Sequence, residues 1–376
     1  MRIVVLSDLH FGHKKVSGDH MYNNLKTYAY PQLEQCSMCI LSGDIFHYLL
    51  DFNNAASRFV LQFINDLFFM SLKYKFSIRV LRGTYTHDRN QVEFLEQCAH
   101  KYMDEQVIDL KVYTKVSVDE ECIDGELIRI AYLPDDIPYK SQYEVIDVVN
   151  NLLTTMKWDK VDMVIGHGYG QHVLPPGVAG PSVVYTIELL STITKHLAIF
   201  GHVHTSSVKR YKDVTFMYVG SFERMCHGEE EKKGYICIDT TTWSIKFIEN
   251  KNTLLFSTYV VPTDDVVEHM VEMFVRWMSM QSWSTQQMNY IRIVHEDADI
   301  RSLLSSVVKE QFSMYPCCVS TKASNKTTAV DEPSMNDVSE LIVPTEDNLV
   351  EIISSYITDH KLYALSEERI HELLSA

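Results

Sequence analysis

The sequence predicts an α/β fold with a functional site at the carboxyl edge of its sheet. Five strand-like apolar runs each end in a loop that carries Asp or His, and segments with apolar residues at helical spacing lie between several of them. Buried strands alternating with helices are typical of α/β sheets, and side chains that follow such strands gather at one edge. A chain of 376 residues with 46% hydrophobic content is long enough for two or more domains.

The five strand-like runs share one design, an apolar stretch followed by a small residue and a polar loop. In chain order they are RIVVLSDLHFG, MCILSGDIFH, FSIRVLRGTYTHD, VDMVIGHG and LAIFGHVH. The continuous apolar stretch of the first run is typical of a central strand that is buried on both faces. Two intervening segments, NNAASRFVLQFINDLFFMSLKY and SQYEVIDVVNNLLTTMK, carry apolar residues at helical spacing. The pattern therefore predicts repeated units of strand, loop and helix.

The pattern changes after about residue 260. Helical spacing in STYVVPTDDVVEHMVEMFVRWMSMQ and IRSLLSSVVKEQF, with the strand-like NYIRIVHED between them, predicts a compact α+β unit. The stretch TKASNKTTAVDEPSMNDVSE is polar and acidic, as linkers are, and two short amphipathic segments follow it. The predicted organisation is a domain at 1–258, an α+β unit at 259–320, an acidic linker at 321–343 and a helical tail at 344–376.

The composition limits the partners and the compartment. The net charge is −16, whereas a protein that binds nucleic acid by itself usually has a basic surface. Either the substrate is not a nucleic acid, or bound metal ions and a partner subunit supply the positive charge. The first apolar run is too short for a signal peptide, and the longest apolar stretches fall short of a membrane span. We therefore expect a cytoplasmic protein with reduced cysteines and no membrane contact.

Carboxylate and imidazole side chains recur at the ends of the predicted strands. One Gly-His pair, or one Asp after a strand, is more often a capping residue than a ligand. The ordered series D-x-H, G-D-x-x-H, H-D, G-H and G-H-x-H favours a metal site instead. This mixture suits manganese, iron(II) or zinc, and six or more ligands exceed what one tetrahedral site uses. The pattern predicts two ions, with candidate ligands Asp8, His10, Asp44, His167, His202 and His204.

The series SDLHFG, SGDIFH, THD, IGHG and FGHVH resembles the motifs of the calcineurin-like metallophosphoesterases. Two further stretches, AYLPDDIP and VGSFERMCHGEEEKKGYICID, narrow the resemblance to the SbcD-type nuclease subunit. That subunit is the partner of an SbcC-type ATPase in DNA double-strand-break processing. The resemblance covers roughly residues 1 to 260 well, and the remainder only in layout. The unusual RGTYTHD loop and the acidic balance suit a divergent, phage-type member, which would work in the host-cell cytoplasm.

The resemblance implies an architecture, cofactors and partners. The fold would be a metallophosphoesterase β-sandwich flanked by helices, with the α+β unit as a small capping domain that touches DNA. Two divalent ions are implied, with Mn2+ as the leading candidate and Mg2+, Fe2+ or Zn2+ as alternatives. The chain would form a homodimer, and residues 344–376 would dock on the coiled coil of the ATPase.

The resemblance also implies roles for individual residues. The first metal would be bound by Asp8, His10 and His204, and the second by His167 and His202. Asp44 would bridge the two metals. His87 resembles the catalytic histidine of the family, oriented by the acidic residue that follows it, Asp88. His47 lies at a position that the family places near the substrate channel, and we expect His227, in the Gly-Ser-x-x-Arg segment, to line the same cleft.

One position departs from the family pattern. The family reads Gly-Asn-His-Asp or Gly-Asn-His-Glu, and the Asn side-chain oxygen binds the second metal. Here Thr86 occupies that place, and the loop has extra residues after Gly83. A threonine hydroxyl is a shorter and poorer ligand than an amide oxygen, although water can bridge the gap. We expect a functional but weaker second site, with Thr86 as the substitute ligand and Thr84 as the alternative.

Three functions are compatible with the sequence. The leading one is a metal-dependent DNA exonuclease and endonuclease subunit. The second is a phosphatase or cyclic phosphodiesterase for a protein or a small molecule, which fits the acidic chain but leaves the residues after 260 without a purpose. The third is a scaffold that has kept the fold and lost catalysis, which the replaced Asn supports. The chain has no Walker motif, so any use of ATP must come from a partner.

Overall fold

The computed structural model of the chain describes residues 2–51, 57–101, 107–135, 137–171, 183–263 and 266–323. The linker predicted at 321–343 and the tail predicted at 344–376 lie outside the described residues, apart from 321–323. In chain order the strands are β1 (Arg2–Leu6), β2 (Met38–Ser42), β3 (Ser77–Leu81), β4 (Leu110–Tyr113), β5 (Ser117–Ile123), β6 (Glu126–Leu133), β7 (Val161–His167), β8 (Tyr169–Gly170), β9 (Val184–Tyr185), β10 (Thr194–Gly201), β11 (Ser207–Tyr211), β12 (Val214–Tyr218), β13 (Gly234–Asp239), β14 (Ser244–Glu249), β15 (Leu255–Val260), β16 (Asn289–Val294) and β17 (Cys317–Lys322).

The helices lie between these strands, as the apolar periodicity predicts. They are α1 (Gly18–Asn24), α2 (Tyr30–Leu33), α3 (Arg58–Tyr74), α4 (Tyr85–Asp88), α5 (Gln91–Lys101), α6 (Gln142–Met156), α7 (Ile187–Ile193), α8 (Val267–Met280) and α9 (Ala298–Gln311), with a π-helical turn at Leu25–Ala29 between α1 and α2. The two helices predicted in the first half of the chain correspond to α3 and α6. None of the helices in the described ranges combines the length and apolar character needed to cross a membrane.

Two six-stranded sheets form the body of the molecule. The first has the strand order β14-β13-β1-β2-β3-β4, with β1 to β4 parallel and β13 antiparallel to β1. The second has the order β11-β12-β10-β7-β6-β5, with β12, β10, β7 and β6 parallel and an antiparallel strand at each edge. Helices α1, α3 and α5 pack on the first sheet, and α6 and α7 on the second. The predicted α/β sandwich flanked by helices is confirmed.

Strand β1 shows why the apolar runs of the sequence are continuous. Side chains alternate along a strand, so Ile3 and Val5 enter the core between the two sheets, while Val4 and Leu6 pack under the helices. All four side chains are fully buried. A strand that is buried on both faces needs an apolar residue at every position, and its first polar residues come where it leaves the sheet.

A third sheet of parallel strands, β15-β16-β17, follows the two large ones, and α8 and α9 are its crossover helices. Its core contains buried side chains from both helices and the central strand, among them Phe274, Ile291 and Leu304. It lies where the sequence pattern predicts an α+β unit, but its strands are all parallel and alternate with helices. Strand β15 begins at Leu255, before residue 259, and pairs with β16 from its first residue. The Tyr290 hydroxyl donates to the Lys15 carbonyl oxygen at 3.0 Å, which ties this unit to the body.

The carboxyl ends of the central strands of both large sheets meet at one edge. The Ser42 hydroxyl at the end of β2 donates to the Gly166 carbonyl oxygen of β7 at 3.1 Å. The His202 amide, which follows β10, donates to the carboxylate of Asp8, which follows β1, at 3.0 Å. Both bonds cross from one sheet to the other. The loops that carry the predicted ligands therefore converge, as expected for the carboxyl edge of parallel strands.

Candidate metal centre

The loops that carry the predicted ligands have an unusual backbone. Asp8, His10, Asp44 and His202 have positive φ angles of 50°, 47°, 50° and 89°. Residues with a β-carbon avoid this left-handed region, and holding one there costs roughly 1–3 kcal/mol. Neighbouring loops hold each other in place, because the Asp8 amide donates to the Gly43 carbonyl oxygen at 3.1 Å and the His10 amide to the Asp44 carbonyl oxygen at 2.9 Å.

Two glycines allow these loops to approach each other closely. Gly43 has a φ of 87°, and a β-carbon at this position would overlap the ring of His167. At Gly83, a β-carbon would overlap the backbone and the carboxylate of Asp44. The space that any larger side chain would need is filled by the residues of the site itself.

The first cluster consists of Asp8, His10 and His204. His10 Nε2 lies 3.1 Å from His204 Nε2, and each of these nitrogens lies 4.0 Å from Asp8 Oδ1. Asp8 is fully buried, and its carboxylate accepts hydrogen bonds from the Ser7 hydroxyl and the His202 amide. Two imidazole nitrogens and a carboxylate oxygen that face one point are a suitable ligand set for a divalent transition metal.

The second cluster consists of Asp44, His167 and His202. Asp44 Oδ2 lies 3.3 Å from His167 Nε2. The same oxygen atom lies 3.8 Å from His10 Nε2 of the first cluster. The structure thus brings all six predicted ligands together and places Asp44 between the two clusters.

The ligand atoms of the two clusters are better placed to bind cations than to form hydrogen bonds with one another. His167 Nδ1 must donate to the Ser42 carbonyl oxygen, 2.8 Å away, because a carbonyl can only accept. Nε2 of the same ring is buried and faces Asp44, but it has no hydrogen-bond partner among the described residues. His204 is arranged alike, with Nδ1 held by Glu229 at 2.8 Å and Nε2 facing the first cluster. A metal-ligating imidazole typically donates one ring N–H to a carbonyl or carboxylate and binds the ion through the other nitrogen, so these residues fit two divalent ions.

The charges of the second cluster are coupled. Burial raises the pKa of Asp44, but the neighbouring His167 outweighs this and holds the pKa well below its usual value. Burial lowers the pKa of His167, but Asp44 outweighs this in turn and raises the pKa to about 10. Without a cation, these opposite pKa shifts favour a protonated His167 beside an ionised Asp44. A bound ion would displace that proton.

The structure places Thr84, and not Thr86, at the second cluster. The Thr84 hydroxyl lies 3.3 Å from Asp44 Oδ2 and 3.3 Å from His202 Nδ1. Thr86 is exposed on the short helix α4. The reason is local: Thr84 is the extended residue before α4, and its amide donates to Asp44 Oδ1 at 2.7 Å, so the extra residues of the loop are absorbed by the helical turn that follows.

His87 lies beside the first cluster. Its Nδ1 donates to the His47 carbonyl oxygen at 2.6 Å, and its ring packs edge-on against the His10 ring, with centroids 4.7 Å apart. The backbone of residue 47, and not the Asp88 carboxylate, is the group that orients His87. The histidine that the sequence predicts as catalytic is therefore held at the centre with Nε2 as its remaining nitrogen.

Asp88 has another role from the one that the sequence predicts. It is fully buried and accepts the backbone N–H groups of Gly83, Asp44 and Phe46 at 2.8, 2.9 and 3.1 Å. Burial raises the pKa of Asp88 to about 7, and the charge of Asp44 adds to this, while the amides of Gly83 and Phe46 lower it. Asp88 thus ties the loop after β3 to the loop after β2, and so holds a ligand loop in place.

The two histidines predicted near the substrate lie in different places. His47 Nδ1 lies 3.3 Å from His10 Nδ1, and the His47 ring stacks on the His87 ring with centroids 5.2 Å apart. Burial and then His87 lower the pKa of His47 to about 4, so its ring is neutral at pH 7. His227 packs edge-on against Phe256 of β15. The structure therefore brings His47 to the metal centre and His227 to the third sheet.

Glu229 and Lys233 support the first cluster, although the sequence pattern did not single them out. Glu229 Oε1 accepts from His204 Nδ1 at 2.8 Å, and the buried Lys233 Nζ pairs with Glu229 Oε2 at 3.1 Å and with Glu231 at 2.5 Å. A carboxylate behind a ligating imidazole fixes its tautomer and orientation. The signal was the acidic run GEEEKKGY before β13, but the run does not show which of its three glutamates points inward.

Comparisons with known proteins give structural likenesses at low identity. No protein-family model and no curated protein matches the sequence. The protein TT1561 of Thermus thermophilus is similar at 12% identity and a TM-score of 0.41, over 66% of this chain and 99% of its own. An archaeal phosphodiesterase is similar at 13% identity and a TM-score of 0.31, with the same coverage of 66% and 99%. The phosphopantetheinyl hydrolase PptH from Mycobacterium tuberculosis is similar at 15% identity and a TM-score of 0.31, over 58% and 89%. All three TM-scores lie below 0.5.

Proposed function

We propose that the chain is a calcineurin-like metallophosphoesterase that uses two divalent ions to hydrolyse phosphodiester bonds in DNA. More narrowly, we propose an SbcD-type nuclease subunit that processes DNA ends in repair and recombination together with an SbcC-type ATPase. The observation that carries the proposal is the shared oxygen, Asp44 Oδ2, which lies between His10 Nε2 and the orphaned His167 Nε2. A carboxylate shared by two ligand clusters suits the two-metal displacement at phosphorus.

The side chains of the centre divide the chemistry between them. Bound at the two clusters, divalent ions would lower the pKa of a water molecule and neutralise charge on the phosphate. His87 is placed to handle the proton. Because the His47 carbonyl oxygen holds its Nδ1–H, Nε2 is the atom that donates to a phosphate oxygen or to the departing alkoxide. Asp88 keeps the loops in position through its bonds to the Gly83 and Asp44 amides.

A cleft next to the first cluster supports an extended substrate. Its volume is about 710 Å³, and it lies between the loop after β1 and the residues before and within β16. Its walls include His13, Lys14, Lys15, Gln286, Gln287 and Tyr290. The two lysines place positive charge where an acidic chain needs it to accept phosphates. The wall residue His13 packs edge-on against the His47 ring, which lies beside His10, and Tyr290 of β16 also lines the cleft. A strand bound at the centre would therefore continue onto the α+β unit.

The same proposal includes two protein partners, an SbcC-type ATPase and a second copy of the chain. We expect the ATPase to bind residues 344–376, whose apolar stripes suit a groove or a partner helix, and we expect the nuclease subunit to be a homodimer in the cytoplasm. The acidic balance of the chain supports a partner that contributes positive charge. Copurification of the full chain with a large coiled-coil ATPase tests this assignment, and recovery of the chain alone from its native cell would count against it.

The test of the activity is Mn2+-dependent degradation of end-labelled linear duplex DNA, with bis-p-nitrophenyl phosphate as a small diester. Asp44→Asn removes the shared carboxylate, and Asp147→Asn removes an exposed carboxylate of α6 as the matched control. We expect the wild type and the control to cleave both substrates. Asp44→Asn should cleave neither and bind fewer than two Mn2+ per chain.

Other results would revise the proposal in different ways. Cleavage of the small diester alone would keep the phosphoesterase and reject DNA as a substrate of the isolated chain. Cleavage of neither substrate by wild-type chain with two bound ions would support the scaffold that has lost catalysis.

A further inference from the structure

Asp135 lies next to the second cluster, although no motif of the sequence assigns it a role. It follows β6 after Pro134, is half-buried, and its amide donates to the Arg82 carbonyl oxygen at 3.3 Å. That bond ties it to the residue before Gly83, the glycine that packs on Asp44. Its carboxylate is therefore anchored at the rim of the second cluster.

The Asp135 side chain faces the ligands of that cluster. Asp135 Oδ2 lies 3.5 Å from the Thr84 hydroxyl, which itself lies 3.3 Å from Asp44 Oδ2 and from His202 Nδ1. The Tyr169 ring packs edge-on against the His202 ring, with ring centroids 4.2 Å apart. Asp135, Thr84 and His202 thus border one space beside Asp44.

The second cluster lacks negative charge compared with the first. The first cluster has its own carboxylate, Asp8, and a share of Asp44, whereas the second has only the shared Asp44 and two neutral-ligand histidines. The Thr84 hydroxyl adds an oxygen but no charge. Manganese and magnesium favour carboxylate oxygens and take more ligands than three. Asp135 offers a further carboxylate beside this cluster, 3.5 Å from the Thr84 hydroxyl.

We propose that Asp135, together with the Thr84 hydroxyl, supplies the oxygen ligands that complete the second metal site, either directly or through one water molecule. The proposal rests on the two-metal function proposed above and names the residues that take the place of the missing asparagine. It makes Asp135 a determinant of which metal fills the second site, since a carboxylate strengthens selection for hard divalent ions.

The experiment is calorimetric titration of the chelator-treated full chain with Mn2+, combined with electron paramagnetic resonance of the bound ions. Asp135→Ala is compared with Asp147→Ala, which removes an exposed carboxylate of α6. We expect two Mn2+ per chain in the wild type and in the control. In Asp135→Ala, one of the two affinities should fall about tenfold or more while the other is unchanged, and the spin-coupled pair should form only at higher Mn2+ concentration.

A second variant separates a ligand from a merely structural residue. Asp135→Ala combined with Thr84→Asn places an amide oxygen beside Asp44, and it should restore the weakened Mn2+ affinity. Equal affinities in Asp135→Ala and Asp147→Ala, or no recovery in the double variant, would overturn the inference while leaving the two-metal function intact. Fewer than two Mn2+ in the wild type would overturn both.

Discussion

The variant Glu229→Gln tests how strongly the carboxylate that holds the His204 ring affects metal affinity. In the structure, both carboxylate oxygens accept hydrogen bonds: Oε1 from His204 Nδ1 at 2.8 Å, and Oε2 from the Met225 amide and Lys233 Nζ, both at 3.1 Å. Glu229→Gln keeps the size of the side chain but has one accepting oxygen and one NH2 group. The NH2 group of the glutamine must then face either His204 Nδ1 or the donors Met225 N–H and Lys233 Nζ. Either His204 or Lys233 therefore loses its hydrogen-bond acceptor.

Two magnitudes follow from these contacts. A buried hydrogen bond to a charged group contributes roughly 1.5–3 kcal/mol, and the free energy of unfolding should fall by that amount. Lys233 keeps Glu231 at 2.5 Å and the His204 carbonyl oxygen at 3.0 Å, so the loss stays below the roughly 3–5 kcal/mol of a fully broken buried ion pair. Removing the partner of a ligating imidazole lowers metal affinity about 10–100-fold, which is about 1.4–2.7 kcal/mol of binding free energy.

The assays are calorimetric titration with Mn2+ and chemical unfolding of the metal-free chain. Glu231→Gln is the matched control, because Glu231 pairs with the same lysine but accepts from the Thr205 hydroxyl and not from the His204 ring. Because the Glu231 side chain is 29% exposed, its replacement should change the free energy of Mn2+ binding and that of unfolding by less than about 1 kcal/mol each. Equal Mn2+ affinities for Glu229→Gln and Glu231→Gln would refute the reasoning.

Three further predictions concern the catalytic face and the ligand loops. His87→Ala should keep both ions and lower kcat for phosphodiester cleavage about 10²–10⁴-fold, because it removes a proton donor and no ligand; metal content and kcat of one preparation check this, and full activity with metal bound would reject the role. The raised pKa of His167, about 10, means that Mn2+ binding to the second cluster displaces a proton at neutral pH. Since the ion needs the unprotonated nitrogen, affinity should rise about tenfold per pH unit from about pH 7 to about pH 9 and fall as pH falls; calorimetry in two buffers of different ionisation enthalpy measures the proton, and a pH-independent affinity would contradict the prediction. Asp88→Asn should lower the free energy of unfolding by about 1–3 kcal/mol, because an amide cannot accept all three backbone bonds; urea denaturation against Asp147→Asn checks it, and equal stabilities would show that the loops hold themselves.

The α/β sandwich was predictable because its central strands are buried on both faces. Such strands appear in the sequence as unbroken apolar runs that stop at a polar loop, as β1 does at Ser7. The outer strand β17 could not be recognised in the same way. It reads CCVSTK, is largely exposed, and owes its place to pairing with β16 and not to an apolar pattern of its own.

The placement of side chains within the loops depended on local geometry that the sequence does not show. Counting back from His87 selected Thr86, but α4 begins at Tyr85, so the extended residue Thr84 is the one that meets the second cluster. The family resemblance implies that Asp88 orients His87. Consecutive residues of a helical turn point in different directions, however, so the two side chains take separate partners.

The left-handed backbone conformation of the ligand loops places the candidate ligands but lowers the thermal stability of the protein. Glycine adopts the conformation of Asp8, His10 and Asp44 without a steric penalty, so glycine would be the easier residue to fold at each of these positions. Any selection for heat resistance alone would therefore favour replacing the side chains that the ions need. Engineering a more durable form of the chain should change positions outside these loops, and it should screen every improved variant for bound metal.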